Sequence, residues 1–146
     1  MTVKVKKLDA RAILPVYGSP SAAGADLYAL LEGDSLLIGA GETALIGTGL
    51  ALEIPEGYVG LVYARSGLAT KKGLAPANKV GVIDSDYRGE LKVALYNQSD
   101  RAQTVSAGER IAQLVIAPYL SASFEEADAL SDTTRGAGGF GSTGSK

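Results

Sequence analysis

Leu91-Lys92-Val93-Ala94-Leu95-Tyr96, followed by Asn97-Gln98-Ser99-Asp100, decides the fold class. Leu91, Val93 and Leu95 alternate with Lys92, Ala94 and Tyr96, the period of a half-buried strand. The four polar residues behind them read as a turn. Outward from this stretch the same pattern recurs. Runs rich in β-branched and aliphatic residues occupy positions 3–5, 44–54, 58–63 and 111–116, and Ala107-Gly108 marks a further turn. Between Gly18 and Gly89, glycine and proline fall too often to leave room for a long helix. Short strands with turn signals every roughly eight to twelve residues predict an all-β sandwich or jelly roll. No internal repeat is visible.

Two segments have helical signals. Ser66-Gly67-Leu68-Ala69-Thr70-Lys71-Lys72-Gly73 begins on a capping residue, carries a basic pair in its last turn and ends on glycine, which predicts a short helix capped by Ser66. Ser123-Phe124-Glu125-Glu126 matches a capping box. No long apolar face follows it, so a strand running into a tail is an equal reading.

A chain of 146 residues holds one domain. Fourteen basic and sixteen acidic residues leave a net charge of −2, which argues against a nucleic-acid partner. Cysteine and histidine are both absent, which excludes disulfides, thiolate or imidazole zinc sites, cysteine nucleophiles and Ser-His triads. Carboxylates and other oxygen donors remain, so any metal is a hard cation of the Mg²⁺ type. No apolar run reaches the roughly eighteen residues of a membrane span. The alternating Met1-Thr2-Val3-Lys4-Val5-Lys6-Lys7 has no signal-peptide core, so the expected location is cytoplasmic and no membrane partner is expected.

Candidate chemistry concentrates in Gly81-Val82-Ile83-Asp84-Ser85-Asp86-Tyr87-Arg88-Gly89-Glu90. By composition this is a polar hairpin tip. Val82 and Ile83 running straight into Asp84 suggest instead a strand that delivers a partly buried carboxylate, able to orient a water as a general base. Asp86 falls on the same face if the chain stays extended. Asp26, in Ala23-Gly24-Ala25-Asp26-Leu27-Tyr28-Ala29, reads by itself as a turn aspartate. Arg65-Ser66-Gly67, at the start of the predicted helix, offers amides, a hydroxyl and a guanidinium for a phosphate. Gln113, in Gly108-Glu109-Arg110-Ile111-Ala112-Gln113, is a polar residue in an apolar run and calls for an explanation. The tail from Arg135 holds five glycines and Phe140, an odd aromatic for a plain flexible end. Together these residues suit metal-assisted attack of water on a phosphate ester or anhydride.

Those five segments, the last being Arg135-Gly136-Ala137-Gly138-Gly139-Phe140-Gly141-Ser142-Thr143-Gly144, resemble in order and spacing the five motifs of the trimeric deoxyuridine triphosphatases. The likeness covers nearly the whole chain, and the ordered set is far more specific than any one motif. It implies a distorted β jelly roll over residues 1–127 and a flexible glycine-rich arm over 128–146. It also implies a homotrimer whose arms are exchanged over shared active sites. By the same resemblance the reaction is hydrolysis of dUTP to dUMP and diphosphate with Mg²⁺, limiting uracil in DNA and supplying dUMP for dTMP synthesis. Asp84 would orient the attacking water, and Asp26 would hold Mg²⁺ through water. Arg65, Ser66, Gly67 and Gln113 would meet the phosphates. Asn78 and the backbone of Val82, Ile83 and Lys92 would pair with uracil. Tyr87 would pack on the deoxyribose and refuse a 2′-hydroxyl. Phe140 would stack on the uracil, Gly141 would contact the substrate, and Arg135 with Ser142 or Thr143 would meet the terminal phosphate. Ala64 departs from the glycine or proline frequent before Arg-Ser-Gly, a small change at a position that need not touch ligand. A related deaminase of dCTP carries a glutamate where this chain has Ala94, which argues against deamination. A purely regulatory nucleotide-binding module would be expected to carry a partner-binding insertion.

Overall fold

The computed structural model describes residues 1–141. It contains eleven antiparallel strands and one short helix. In chain order these are β1 (Lys4–Lys7), β2 (Val16–Tyr17), β3 (Ala25–Tyr28), β4 (Ser35–Ile38), β5 (Thr43–Glu53) and β6 (Tyr58–Tyr63). Helix α1 (Ser66–Lys72) follows, then β7 (Leu74–Pro76), β8 (Gly81–Ile83), β9 (Glu90–Asn97), β10 (Gln103–Ser106) and β11 (Arg110–Pro118). They form a four-stranded sheet ordered β1-β5-β9-β7, a five-stranded sheet ordered β2-β3-β11-β6-β8, and the pair β10-β4. The all-β expectation and each of the five predicted strand runs are borne out.

In β9 the predicted alternation is realised, with Leu91, Val93 and Leu95 at most 2 % exposed. They join Leu27, Ile46, Leu52, Val62, Val105, Ile111 and Leu114 in one aliphatic cluster fed by all three sheets. The turn after β9 is fastened by fully buried Asn97, whose amide donates to the Ile38, Gly39 and Arg101 carbonyls while its oxygen accepts from Ser99. A buried amide with every valence used fixes a turn firmly. Strand β5 slips register against β9 between Gly47 and Ala51, where Gly49 adopts a left-handed φ of 67°. That irregularity lets one long strand pair with β9 at one end and β1 at the other.

Helix α1 lies where the sequence places it and ends on Gly73 in the left-handed conformation, whose N–H meets the Ala69 and Leu68 carbonyls. Its start differs from expectation. Arg65 is the cap residue, no side chain caps the first turn, and Ser66 is the first helical residue. Ser66 instead uses its carbonyl to accept the Thr70 hydroxyl. The Ser123 capping box forms neither helix nor strand, because nothing apolar lies behind it to hold one; from Tyr119 onward the described chain is irregular. Leu120, Phe124 and Leu130 stand almost fully exposed there. No helix among the described residues is long and apolar enough to cross a membrane.

Candidate active site

Asp26 is no turn residue. It sits in the middle of β3, buried, opposite Gln113 of β11. A buried carboxylate needs charged donors, and two arginines supply them. Arg65 Nε donates to Oδ1 at 2.7 Å, and Arg110 Nη1 donates to Oδ2 at 3.2 Å. Gln113 has its explanation too. Its amide donates to the Ala64 carbonyl at 2.9 Å, steadying the residue just before Arg65. Its side chain fills the space where a Cβ at Gly24 would stand, so a side chain there would push the Gln113 amide from its place. The result is a pair of guanidiniums around one carboxylate, net positive, with Arg65 directly preceding the first turn of α1. Such a set can receive phosphate oxygens.

The second constellation lies beyond β8. A cavity of about 330 Å³ is lined by Leu45, Val82, Ile83, Asp84, Tyr87, Glu90 and Lys92. Asp84 follows the last residue of β8 and is exposed, not partly buried as its apolar approach suggests, since Asp84 lies past the strand end in a turn. That turn is closed by the Tyr87 N–H donating to the Asp84 carbonyl. The chain therefore reverses at Asp86, which does not share Asp84's face by strand alternation. Tyr87 folds back over Gly89 and donates its hydroxyl to the Glu90 carbonyl at 3.0 Å. A Cβ at Gly89 would lie 2.6 Å from the ring carbon Cζ, so that resting place exists because residue 89 is glycine. Glu90 accepts from the Gly49 N–H and lies 3.4 Å from Lys92 Nζ, which ties the hairpin base to β5.

The two constellations do not meet. Asp26 shares a cross-strand row with Gln113 and Tyr63, whereas Ile83 pairs with Gly60. Three inter-strand steps and about four residues along the strand separate Asp26 from Asp84, roughly 20 Å at standard sheet spacings. Asn78 is exposed in the turn before β8, beside Gly81. Ser66 and Gly67 are exposed at the start of α1. In the tail, Arg135 Nε donates to the Gly138 carbonyl, and Phe140 is fully exposed with a φ of 51°. Gly141 is likewise exposed, and Ser142 lies outside the described residues.

Sequence reasoning missed Arg110, Leu45 and the part played by Glu90. A register irregularity between Arg110 and Ala112 breaks alternation, so the face of Arg110 cannot be counted from its neighbours. Leu45 comes from a different sheet and is 66 % exposed, a lone hint. The donor set also bears on Mg²⁺. Among the described residues no three acidic side chains gather as a metal cage. Asp26 alone fits a cation that arrives with its own water and phosphate shell, because each of its oxygens accepts one guanidinium and keeps a lone pair.

An antiparallel β fold bearing an arginine clamp and a separate pocket edged by a carboxylate has the features of a protein that takes up a phosphorylated small molecule. Comparison with known proteins narrows the class. The dUTPase family model matches residues 10–144. The deoxyuridine 5'-triphosphate nucleotidohydrolase of Nautilia profundicola is 52 % identical over 144 residues, covering 99 % of each chain. That of a Hydrogenobaculum species is 49 % identical over the full length of both. The solved dUTPase of Staphylococcus bacteriophage 80alpha with dUpNHpp superposes with a TM-score of 0.88 at 31 % identity, over 98 % of each chain. A phage phi11 dUTPase mutant of known structure, 27 % identical over 88 % of this chain and 98 % of its own, with a TM-score of 0.78, is described as coordinating a structural Mg(II) ion. The chain belongs to the dUTPase family.

Proposed function

We infer that the pocket behind Asp84 receives the nucleoside and that Asp84 serves as the general base of the family's reaction. That reaction is hydrolysis of dUTP to dUMP and diphosphate. The observation that carries this reading is the cavity itself: five residues expected from sequence line one volume of about 330 Å³, with Asp84 free at its rim. A water held by the Asp84 carboxylate gives it a proton while its oxygen bonds the α-phosphorus. The bond from that phosphorus to the bridging oxygen breaks, and diphosphate leaves with the electron pair. Tyr87 presents its ring to the deoxyribose. Asn78 and the backbone at Val82, Ile83 and Lys92 address the uracil edge, where an unpaired polar group would penalise cytosine.

Arg65, Ser66, Gly67 and Gln113, with Arg110 beside them, form the phosphate end, and Asp26 addresses Mg²⁺ through water. Bound there, Mg²⁺ would neutralise charge on the triphosphate and make the α-phosphorus easier to attack. Because the two ends lie roughly 20 Å apart in one chain, a complete site joins the pocket of one copy to the clamp of another. A homotrimer of jelly-roll domains accomplishes this, and the glycine-rich arm over 128–146 closes across a neighbour. Phe140 and Gly141 then cover the base, while Arg135 and Ser142 reach the terminal phosphate. Action on free nucleotides fits the expected cytoplasmic location.

The test is a substrate panel of dUTP, dCTP, UTP and dTTP with Mg²⁺. Diphosphate from dUTP alone supports the reading. Ammonia from dCTP, or binding without turnover, overturns it. Ala94, whose methyl cannot move a proton, speaks against deamination.

A further inference from the structure

Beyond the site itself, we propose that Lys72 and Glu109 are a positioning pair that sets the two arginines of the phosphate end. The inference rests on the reading that Arg65 and Arg110 hold phosphates. A lysine in the last turn of a helix needs no partner, because the helix dipole alone favours it there. Lys72 nevertheless crosses to the β10–β11 hairpin, donating to Glu109 Oε1 at 2.7 Å and to the Thr104 carbonyl at 3.0 Å. Lys71, one residue earlier, is exposed.

Glu109 is held on every side. Its Oε2 accepts the Ser106 N–H, and its carbonyl accepts the Ala29 N–H just past the end of β3. These contacts close a circuit. Arg65 precedes α1 and reaches Asp26 on β3; Arg110 reaches the same carboxylate; Glu109 is the residue before Arg110; and Lys72 returns to the last turn of α1. Each arginine is thus fixed at its head by Asp26, and the backbones that carry both are fixed to each other by Lys72–Glu109. Without the pair, α1 and the start of β11 keep only their strand and core contacts, and the guanidiniums lose their common reference. A small misplacement of such groups is expensive in turnover.

The experiment uses the full chain with Lys72→Met, Glu109→Gln and Lys72→Arg. Steady-state kinetics on dUTP are combined with calorimetric binding of an α,β-imido dUTP analogue and of dUMP, which lacks the β- and γ-phosphates. Lys72→Met and Glu109→Gln are expected to lower kcat/KM and analogue affinity roughly tenfold, with dUMP affinity changed by less than about twofold. Lys72→Arg, which can still donate to both Glu109 and the Thr104 carbonyl, should keep most of the wild-type values. Parallel losses for dUMP and analogue, no loss at all, or a Lys72→Arg variant as damaged as Lys72→Met would each overturn the proposal. Should Lys72→Met fail to fold, Glu109→Gln carries the same comparison, because an amide oxygen can still accept the Ser106 N–H. A wild-type chain that does not turn over dUTP overturns the underlying function instead; a wild-type chain that does, with unaffected variants, overturns the positioning role alone.

Discussion

Two aspartates show how one functional group acquires different work from its surroundings. Asp26 is buried between two guanidiniums, so its charge organises other side chains. Asp84 is exposed at a strand end beside a cavity, and no side chain among the described residues donates to its carboxylate, so it is free to meet solvent. Asp84→Asn keeps the shape and removes the proton acceptor. Turnover should fall by about 10²–10⁴ while dUTP affinity stays within a few-fold, measured by kcat and by binding of a non-hydrolysable analogue. An equal loss in both would assign Asp84 to binding. Gly89 makes the complementary point, since a methyl there meets the Tyr87 ring. That ring is exposed and swings away at little cost in stability, but on the proposed reading it then no longer fills the space a ribose hydroxyl needs. Gly89→Ala should raise kcat/KM for UTP relative to dUTP by roughly tenfold, with the melting temperature nearly unchanged. A ratio that does not move would remove Tyr87 from sugar selection.

The elements were legible where one local rule sufficed. Strand β9 follows from alternation, and α1 from its basic last turn and Gly73. What a local rule could not supply was set by contacts across the chain. Asp26 looks like a turn residue beside Gly24 until β11 and α1 bring their arginines to it. Arg110 is hidden by a register irregularity, and the Ser123 capping signal fails for want of a face to pack. Glu109 belongs to this level as well. Burial pushes its carboxyl up, yet the Lys72 ammonium and the Ser106 N–H outweigh that, and the net shift is downward. A carboxyl lowered in the folded state stabilises the fold at pH above the ordinary glutamate range, and that stability is lost as pH falls through the lowered value. The melting-temperature gap between wild type and Glu109→Gln should therefore be largest near neutrality and shrink on acidification, as scanning calorimetry would show. A gap independent of pH would mean that the ion pair contributes nothing through charge.

For the molecule as a whole, the decisive quantity is the distance between its two half-sites. A net charge of −2 would repel a triphosphate at long range, so its capture depends on local placement of the arginines, and these gather at Asp26, roughly 20 Å from Asp84 at standard sheet spacings. On the proposed reading, one chain holds both halves of a site and brings them together only with a neighbouring copy. This gives a prediction that kinetics on mixed assemblies can decide. Asp84→Asn subunits lack the base but keep the clamp; Arg65→Ala subunits keep the base but lack part of the clamp. Each alone should be nearly inactive. If the proposed trimer with shared sites is right, the two variants unfolded together in equal amounts and refolded give trimers in which some sites draw Asp84 from one variant and Arg65 from the other. With one such site formed at each directed contact between unlike neighbours, random cyclic assembly restores roughly a quarter of wild-type activity. If each subunit instead completed its own site, every site would carry one of the two lesions, and mixing would restore none.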